Sequence, residues 1–193
     1  MLDILDNYNG YDSTDYSNFS INEIDAMSTN DQLDMLLNHK TNGKKVYVKY
    51  YLTTKQIRPQ VLDEVIEDLF TVENILEKKD TLIIIIDDEP NDTIINKLNY
   101  LYNHDNIFVV IHHIKRLQFN ILEHNLVPQM KVLEEKEIIE LQKTYNLKSK
   151  NQLPEISRFD PQAMALIMRP GDICSIKRHS VTALDYDYYR VCV

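Results

Sequence analysis

Three consecutive carboxylates, Asp87, Asp88 and Glu89, directly follow an apolar run of the kind that forms a buried strand. In α/β folds, carboxylates at the carboxyl ends of parallel strands bind Mg²⁺ and support phosphate chemistry. The next apolar run is followed by four further polar candidates, His112, His113, Lys115 and Arg116. One hypothesis is therefore a metal-dependent hydrolase or nuclease. However, this stretch has no Glu-x-Lys or Asp-x-Asp spacing, and a polar strand end is the simpler interpretation.

The two cysteines and His124 point away from metal or nucleophilic chemistry. Cys174 and Cys192 have no CxxC spacing and no histidine companions, so we expect small apolar side chains in C-terminal strands. His124 has no base or nucleophile nearby in the sequence, and we interpret it as structural. We expect no metal and no cofactor.

The first 44 residues carry weak signals. Residues 1–19 are acidic, contain no lysine or arginine and show no period, which predicts a loosely ordered acidic arm. Ser20 and Glu23 form a capping box for a short helix. Leu33, Leu36 and Leu37 predict a further helical turn or two.

Residues 45–122 alternate between strand and helix patterns. Strands are predicted over 45–52, 81–87 and 106–112, with a fourth near 119–122. One intervening helix begins at Pro59 and turns Leu62, Val65, Ile66 and Leu69 inward; the other is capped by Asn91 or Asp92 and turns Ile95, Leu98 and Leu101 inward. This order predicts a small, mainly parallel sheet with flanking helices.

The pattern changes beyond Pro128. A helix is predicted over 134–145, with acidic residues in its first turn and Lys143 in its last. Short strands at 172–177 and 186–193 are separated by proline and glycine turns. The predicted fold class is an α/β domain over 20–123 followed by a compact α+β domain over 124–193.

Charge is distributed unevenly along the chain, whose net charge is −9. Residues 124–193 carry 10 basic and 9 acidic residues, whereas residues 1–123 carry 11 and 21. An acidic N-terminal region repels phosphate, which argues against independent DNA binding. No apolar run approaches the length of about 18 residues that spans a bilayer, and no signal peptide precedes residue 20, so we expect a protein that is neither secreted nor embedded in a membrane.

The C-terminal part contains a series of short rigid motifs. In order they are His124-Asn-Leu-Val-Pro128, Gln152-Leu-Pro154, Asp160-Pro161, Pro170-Gly-Asp172, Arg178-His-Ser180 and a closing Tyr188-Tyr-Arg190. This order and spacing resembles the C-terminal assembly domain of the RNA polymerase subunit called the fifth subunit in eukaryotes, and that of its shorter archaeal counterpart. The two-domain layout is similar to the eukaryotic form, in which an N-terminal jaw domain precedes the assembly domain.

The resemblance implies a set of residues that dock on the largest polymerase subunit. They are His124, Leu126, Val127, Pro128, Gln152, Leu153, Pro154, Asp160, Pro161, Gly171, Arg178, Ser180, Tyr189 and Arg190. Leu126 and Val127 are also expected to plug the core, because the proline forces Val127 out of the helical region. For Arg178 and Arg190, ion pairs inside the domain are an equal alternative. The chain departs from the family at Ile167 and at Leu184-Asp185, where glycines are usual, and at Met130, where a second histidine is common.

The resemblance also bears on DNA. In eukaryotic relatives a Thr-Pro-Ser-Ala segment approaches downstream duplex DNA, and here Glu89-Pro90-Asn91-Asp92 keeps the proline but introduces acids. Carboxylates beside phosphates reduce affinity, so a weak or indirect DNA contact is expected. The candidate DNA-proximal residues are Pro90, Asn91, Lys44, Lys45, Lys115 and Arg116.

The sequence therefore predicts a non-catalytic subunit of a multisubunit DNA-dependent RNA polymerase, with the largest subunit and neighbouring small subunits as partners. The chain has no triple-aspartate motif for nucleotidyl transfer. The alternatives are the hydrolase at Asp87, Asp88 and Glu89, and an adaptor that borrowed the assembly domain. The subunit hypothesis implies the nucleus for a cellular protein, and the virion or a cytoplasmic viral factory for a viral one. The amino-acid usage is typical of an AT-rich genome, which favours a large DNA virus or a protist as the source.

Overall fold

The computed structural model describes residues 1–52, 54, 56–182 and 184–193. The chain divides into two compact units, Met1–Phe119 and Asn120–Val193. This division lies four residues before the boundary predicted at residue 123. Among the described residues, no helix combines the length and the apolarity needed to cross a bilayer.

The N-terminal unit is built on a four-stranded sheet in the order β1-β2-β3-β4. Its strands are β1 (Met35–Asn38), β2 (Lys45–Tyr50), β3 (Thr81–Ile86) and β4 (Phe108–His113). β2, β3 and β4 are mutually parallel, and β1 pairs antiparallel with β2 at the edge. All six residues of β3 are buried, as its unbroken apolar run predicts.

Two crossover helices connect the parallel strands. α3 (Pro59–Glu67) has Pro59 in its first turn, and α4 (Asp92–Tyr100) begins where the Asn91 side chain accepts the N–H of Ile94 at 3.0 Å. Each helix continues into a π turn, Asp68–Val72 and Leu101–Asp105. Leu98 and Leu101 are buried as predicted, whereas Ile94 rather than Ile95 completes the inner face.

The first 38 residues differ from the prediction. Residues 1–19 are not a loose arm, because α1 (Leu2–Asn7) buries Ile4 and Leu5 and Tyr11 forms a β-bridge with His39. Two adjacent apolar side chains dock this short helix, and two residues are too few to show a period. α2 (Ile21–Thr29) has the predicted capping box.

Two other secondary-structure predictions are wrong. Leu36 and Leu37 belong to β1 rather than to a helix, because pairing with β2 outweighs the local helical spacing. The strand predicted near 119–122 is a 3₁₀ turn, Ile121–Glu123, where Asn120 Oδ1 accepts the N–H of Leu122 at 3.1 Å.

The C-terminal unit contains a second four-stranded sheet, in the order β5-β7-β8-β6. Its elements are β5 (Met130–Val132), α5 (Glu135–Thr144), β6 (Glu155–Ile156), α6 (Pro161–Ala165), β7 (Ile173–Ser180) and β8 (Leu184–Cys192). β7 and β8 form an antiparallel hairpin, β5 lies antiparallel beside β7, and β6 lies parallel beside β8. The two short edge strands are not predicted from the sequence, since two or three residues show no alternation.

Both faces of this sheet are covered at one end. One cluster joins Cys174, Ile176 and Cys192 to Met130 and to Ala163 of α6. The opposite cluster joins Ile173 and Val191 to Leu141 of α5. The sheet therefore has a two-sided core near the start of β7 and the end of β8.

Candidate subunit-docking surface

The hairpin of β7 and β8 extends beyond its two neighbouring strands. β5 pairs with residues 174–176 of β7, and β6 pairs only with Val191 and Cys192 of β8. Near the turn, Val181 is 98% exposed and Leu184 is 71% exposed. The outer half of the hairpin is thus a two-stranded ribbon, and its backbone edges carry no further strand among the described residues.

On one face of this ribbon, basic side chains lie opposite acidic ones. Lys177 lies opposite Asp187, and His179 lies opposite Asp185. His179 Nδ1 is 3.2 Å from Asp185 Oδ1. Opposite charges across a strand pair stabilise it without any partner.

The other face holds aromatic, arginine and leucine side chains. Because side chains alternate along a strand, Arg178, Tyr186 and Tyr188 share it, together with Ser180, Leu184 and Arg190. We call these six residues the Arg–Tyr face. Tyrosine and arginine are enriched at the energetic centres of protein interfaces.

At the centre of the Arg–Tyr face, two guanidinium groups approach one aromatic ring. The Arg178 guanidinium carbon lies 4.4 Å from the Tyr188 ring centroid, and that of Arg190 lies 5.4 Å away. In the part of the chain that the structure describes, neither arginine has a carboxylate within salt-bridge distance. Arg190 Nη1 donates to the Glu155 carbonyl at 3.1 Å, while its Nε is buried without a partner. The alternative of ion pairs inside the domain is therefore not what this geometry shows.

Several predicted docking residues hold turns of the fold. Asp160 Oδ1 accepts the N–H of Gln162 at the start of α6, where Pro161 is the first residue. Gln152 Oε1 accepts the N–H of Lys148, and the Pro154 carbonyl accepts the N–H of Val191. Leu153 packs with the cluster around Leu141.

Gly171, Pro128 and His124 also have local roles. Gly171 adopts φ +93° and donates to the Cys192 carbonyl at 2.9 Å, which ties the turn to the end of β8. The Pro128 carbonyl accepts Gln162 Nε2 at 3.0 Å. His124 is exposed, and its Nδ1 accepts the N–H of Leu126 at 3.2 Å.

Leu126 corrects one prediction. It is 87% exposed, so it does not plug the core, and Val127 is only half-buried. The turn that follows His124 directs the leucine outward, with the Val127 N–H donating to the His124 carbonyl. An exposed leucine remains compatible with docking.

The sequence reasoning placed Tyr189 with Arg190 and missed Tyr188. Tyr189 lies on the opposite face, where it contacts Tyr145 edge-on at 5.8 Å between ring centroids. Burial and the nearby Asp187 raise the pKa of Tyr189. The signal that could have found the Arg–Tyr face is the two-residue alternation from Leu184 to Arg190.

The DNA-proximal candidates lie at two ends of the N-terminal sheet. Pro90, Asn91, Lys115 and Arg116 follow the carboxyl ends of β3 and β4, whereas Lys44 and Lys45 precede or begin β2. The β2 and β3 strands are parallel, so these ends are separated by a strand length of about 20 Å. Lys45 is also anchored, since its N–H donates to Asp80 Oδ1 at 2.7 Å.

Two of the three carboxylates considered for metal binding, Asp88 and Glu89, have protein partners. Glu89 Oε1 is 2.5 Å from Arg116 Nη2, and Asp88 Oδ2 accepts Gln56 Nε2 at 3.3 Å. Over the described residues, no group of three or more histidine, cysteine or acidic side chains is arranged to hold a metal ion. The geometry gives the hydrolase hypothesis no support.

Both cysteines are free and buried, as predicted. Burial raises the pKa of the Cys174 thiol to about 11 and that of Cys192 to about 12. Such thiols stay protonated near neutral pH, and a thiolate is needed for nucleophilic or metal chemistry. Their role is packing within the core of the C-terminal unit.

Comparisons with known proteins match the C-terminal part of the chain. Residues 119–192 match the family model described as RNA polymerase Rpb5, C-terminal domain. The DNA-directed RNA polymerase subunit Rpo5 of Thermococcus kodakarensis is 47% identical over 76 residues, which cover 39% of this chain and 92% of that protein. The Rpo5 of Archaeoglobus fulgidus is 40% identical over 77 residues, or 40% of this chain and 100% of that protein.

The chain belongs to the Rpb5/Rpo5 family of RNA polymerase subunits. The resemblance stated from the motifs is thus confirmed. The Rpb5 family model begins at residue 119, next to the division between the two units. The N-terminal unit therefore lies outside the match, and its function is not given by these relatives.

Proposed function

We propose that this protein is a non-catalytic subunit of a DNA-directed RNA polymerase, anchored through its C-terminal unit. The observation that carries the proposal is the 47% identity to an Rpo5 over 92% of that protein's length. The same unit buries both of its thiols and presents a side-chain surface suited to protein contact. We therefore assign nucleotidyl transfer to other chains of the complex, and we place this chain in whichever compartment holds that polymerase.

The Arg–Tyr face is the proposed docking site for the largest polymerase subunit. Tyr188 attracts both guanidinium groups to one ring, which limits their freedom before binding. A preorganised arginine loses less entropy when it forms a bidentate bond to a carboxylate. We therefore expect acidic side chains of the partner at Arg178 and Arg190, with Leu126 as an exposed apolar contact elsewhere on the unit.

Affinity purification of the tagged chain from its source tests this function. We expect one copy per largest polymerase subunit and RNA-synthesising activity in the eluate. Purification without polymerase chains would overturn the proposal. The double variant Arg178→Ala/Arg190→Ala should reduce recovery of the largest subunit at least tenfold, because interface arginines often contribute more than about 1 kcal/mol each.

A matched control separates docking from folding. Lys177→Ala/His179→Ala changes two residues of β7, the strand of Arg178, on the face opposite the Arg–Tyr face. This control should leave recovery unchanged. If both double variants reduce recovery equally while far-UV circular dichroism stays native, the Arg–Tyr face is not the docking site.

We further propose that the N-terminal unit serves as a jaw domain close to downstream DNA, with only a weak contact. The position near DNA rests on the resemblance to the eukaryotic two-domain form. A weak contact is supported by the loop after β3, where Glu89 and Asp92 would repel phosphate. Arg116 is paired with Glu89 and is therefore not available as a free cation. Lys115 is exposed at the same strand end, and it remains the candidate cation there.

Charge reversal tests this position in assembled polymerase. Glu89→Lys/Asp92→Lys should tighten binding to downstream duplex DNA several-fold and steepen its salt dependence, because each new phosphate contact adds about one unit to the slope. Glu73→Lys/Glu77→Lys is the control: Glu77 is also ion-paired, with Lys79 at 3.1 Å, but lies before β3. Equal effects of both variants would place DNA away from the β3–α4 loop.

A further inference from the structure

The helix α2 is fully capped but is not packed into the core. Ser20 Oγ accepts the N–H of Glu23 at 3.3 Å, and a Glu23 carboxylate oxygen accepts the N–H of Ser20 at 2.7 Å. None of its nine residues is buried. A helix this short is marginal in water without tertiary contacts. The local sequence thus specifies a helix whose apolar side chains have no partner in the core.

The side chains of α2 are arranged as an apolar stripe between two acids. At 100° per residue, Ile21, Ile24 and Ser28 fall on one side of the helix, with the half-buried Met27 next to them. Ile21 is 85% exposed and Ile24 is 47% exposed. Glu23 and Asp25 flank this stripe on its two edges.

The stripe leads into a cavity of about 210 Å³ at the end of the helix. The cavity is lined by Ser28, Asp31, Leu33, Asp34, Tyr50 and Leu52. The Asp34 carboxylate is already engaged, by Lys49 Nζ at 3.0 Å and the Tyr50 N–H at 2.9 Å. Asp31 is exposed and has no ion pair among the described residues. The cavity therefore combines a free carboxylate with apolar and aromatic walls, which suits the long side chain of a lysine or arginine.

The negative charge around α2 favours some classes of binding partner over others. The first 39 residues contain eight acidic residues and neither lysine nor arginine. Asp6 and Asp34 are ion-paired with Lys40 and Lys49, and the remaining excess of acids includes Glu23, Asp25 and Asp31 at α2 and the cavity. Such a surface repels nucleic acid and anionic membranes. A second copy would bring the same acids and the same net charge of −9. Of the classes of partner considered, a basic polypeptide is the one whose charge complements this surface.

We propose that α2 and the adjoining cavity bind a basic segment of another protein. Apolar side chains of that segment cover Ile21 and Ile24, and a lysine or arginine enters the cavity beside Asp31. The acids at the edges of the stripe favour lysine and arginine on either side of the apolar contact. This binding site is separate from the Arg–Tyr face and does not depend on the polymerase assignment.

Site-specific photo-crosslinking in the source cells tests the proposal. The full chain carries p-benzoylphenylalanine in place of Ile21, whose exposure tolerates the larger side chain, and a control chain carries it in place of Val72, which is 69% exposed in the same unit. We expect the first chain to form a crosslink to one discrete segment rich in lysine, arginine and apolar residues. The control should not capture that segment.

A second pair of variants tests the role of the acids. Asp25→Lys/Asp31→Asn should lower the crosslinking yield at position 21 at least fivefold, whereas Glu64→Lys/Glu67→Gln, the same charge change on α3, should leave it unchanged. The proposal is overturned by an unchanged yield in the first variant. It is also overturned by no product beyond that of the control, or by crosslinks to nucleic acid, to acidic or neutral segments, to a second copy or to the chain's own C-terminal unit. Recovery of polymerase chains is scored separately, so failure of the subunit assignment stays distinguishable.

Discussion

At the scale of single residues, two backbone positions preserve a geometry that their side chains do not favour. Ile167 has φ +52° and Leu184 has φ +58°. The resemblance to the polymerase subunit implies glycine at both positions. Left-handed backbone costs a residue with a Cβ about 1–2 kcal/mol. Both turns are therefore formed here by residues that are strained in this geometry.

Comparing glycine with alanine at Leu184 isolates this strain. We expect Leu184→Gly to have a free energy of unfolding about 1 kcal/mol higher than Leu184→Ala, because both lose the same exposed side chain and only alanine keeps the strained Cβ. At Val181, which is also exposed and has no positive φ, alanine should be the more stable replacement. Urea unfolding of the four variants measures their unfolding free energies. If the glycine and alanine variants rank in the same order at both positions, Leu184 is not strained.

His112 is the residue with the clearest dependence on pH. Burial at the end of β4, with the Met1 amine and Arg116 as additional cationic neighbours, lowers its pKa to about 4. The unfolded chain binds a proton near pH 6.5, so the stabilisation is present above that pH and is lost as pH falls towards 4.

The expected loss between pH 7.5 and pH 5 is about 2 kcal/mol of unfolding free energy. Urea titrations at the two pH values measure it. His112→Gln should remove most of this pH dependence, while the same change at the exposed His104 should not. If His112→Gln loses as much unfolding free energy between pH 7.5 and pH 5 as the unchanged protein, other groups cause the acid sensitivity.

At the scale of elements, stability of a helix cap and burial of a helix face are separate properties. α2 has a complete capping box and buries nothing, while α6 is only five residues long and buries Ala163, Met164 and Ala165. Capping residues are local signals, so the first residues of α2 and α6 can be predicted from Ser20 and Asp160. The core that receives α6, or fails to receive α2, consists of residues distant in the sequence.

Removing the two caps should therefore have different consequences. Ser20→Ala should cost α2 about 1 kcal/mol and increase amide exchange over 20–29, with little change in Tm, because the helix is not coupled to the core. Asp160→Ala should lower Tm by about 3 °C. Hydrogen exchange and thermal melts measure the contrast, and a comparable loss of Tm in Ser20→Ala would mean that α2 is packed.

At the scale of the whole molecule, the two units differ in charge and in whether the family model matches them. Residues 1–119 hold 11 basic and 20 acidic residues, and residues 120–193 hold ten of each. The C-terminal unit has its own core on both faces of its sheet, and the family match covers almost all of it. The acidic N-terminal unit adds a separate sheet and separate surfaces.

The C-terminal unit should accordingly fold alone. We expect residues 120–193 to show a cooperative urea transition and native-like circular dichroism, because the Rpo5 of Archaeoglobus fulgidus corresponds over its full length to a stretch of 77 residues. A shorter fragment, 135–193, lacks β5 and the buried Met130, and should not unfold cooperatively. Equal cooperativity in both fragments would show that β5 is dispensable.

The sequence by itself determined the family, the long strands and the capped helices. The motifs from His124 to Arg190 depend on proline, glycine and capping residues, whose constraints act within a few residues, and the run Thr81–Ile86 is buried on both faces wherever it pairs. These features are local, so they can be recognised along the chain without knowledge of its contacts. They also sufficed for the parallel order of β2, β3 and β4.

Only the tertiary structure decided which side chains meet. The assignment of Leu36 to a strand, the burial of α1, the outward direction of Leu126 and the separation of Lys45 from Arg116 all depend on contacts between distant segments. The Arg–Tyr face arises because the hairpin register brings Arg178 and Arg190 to one ring of Tyr188. Strand register is set by pairing and by the buried face, and a shift of one residue would turn each of these side chains to the opposite side.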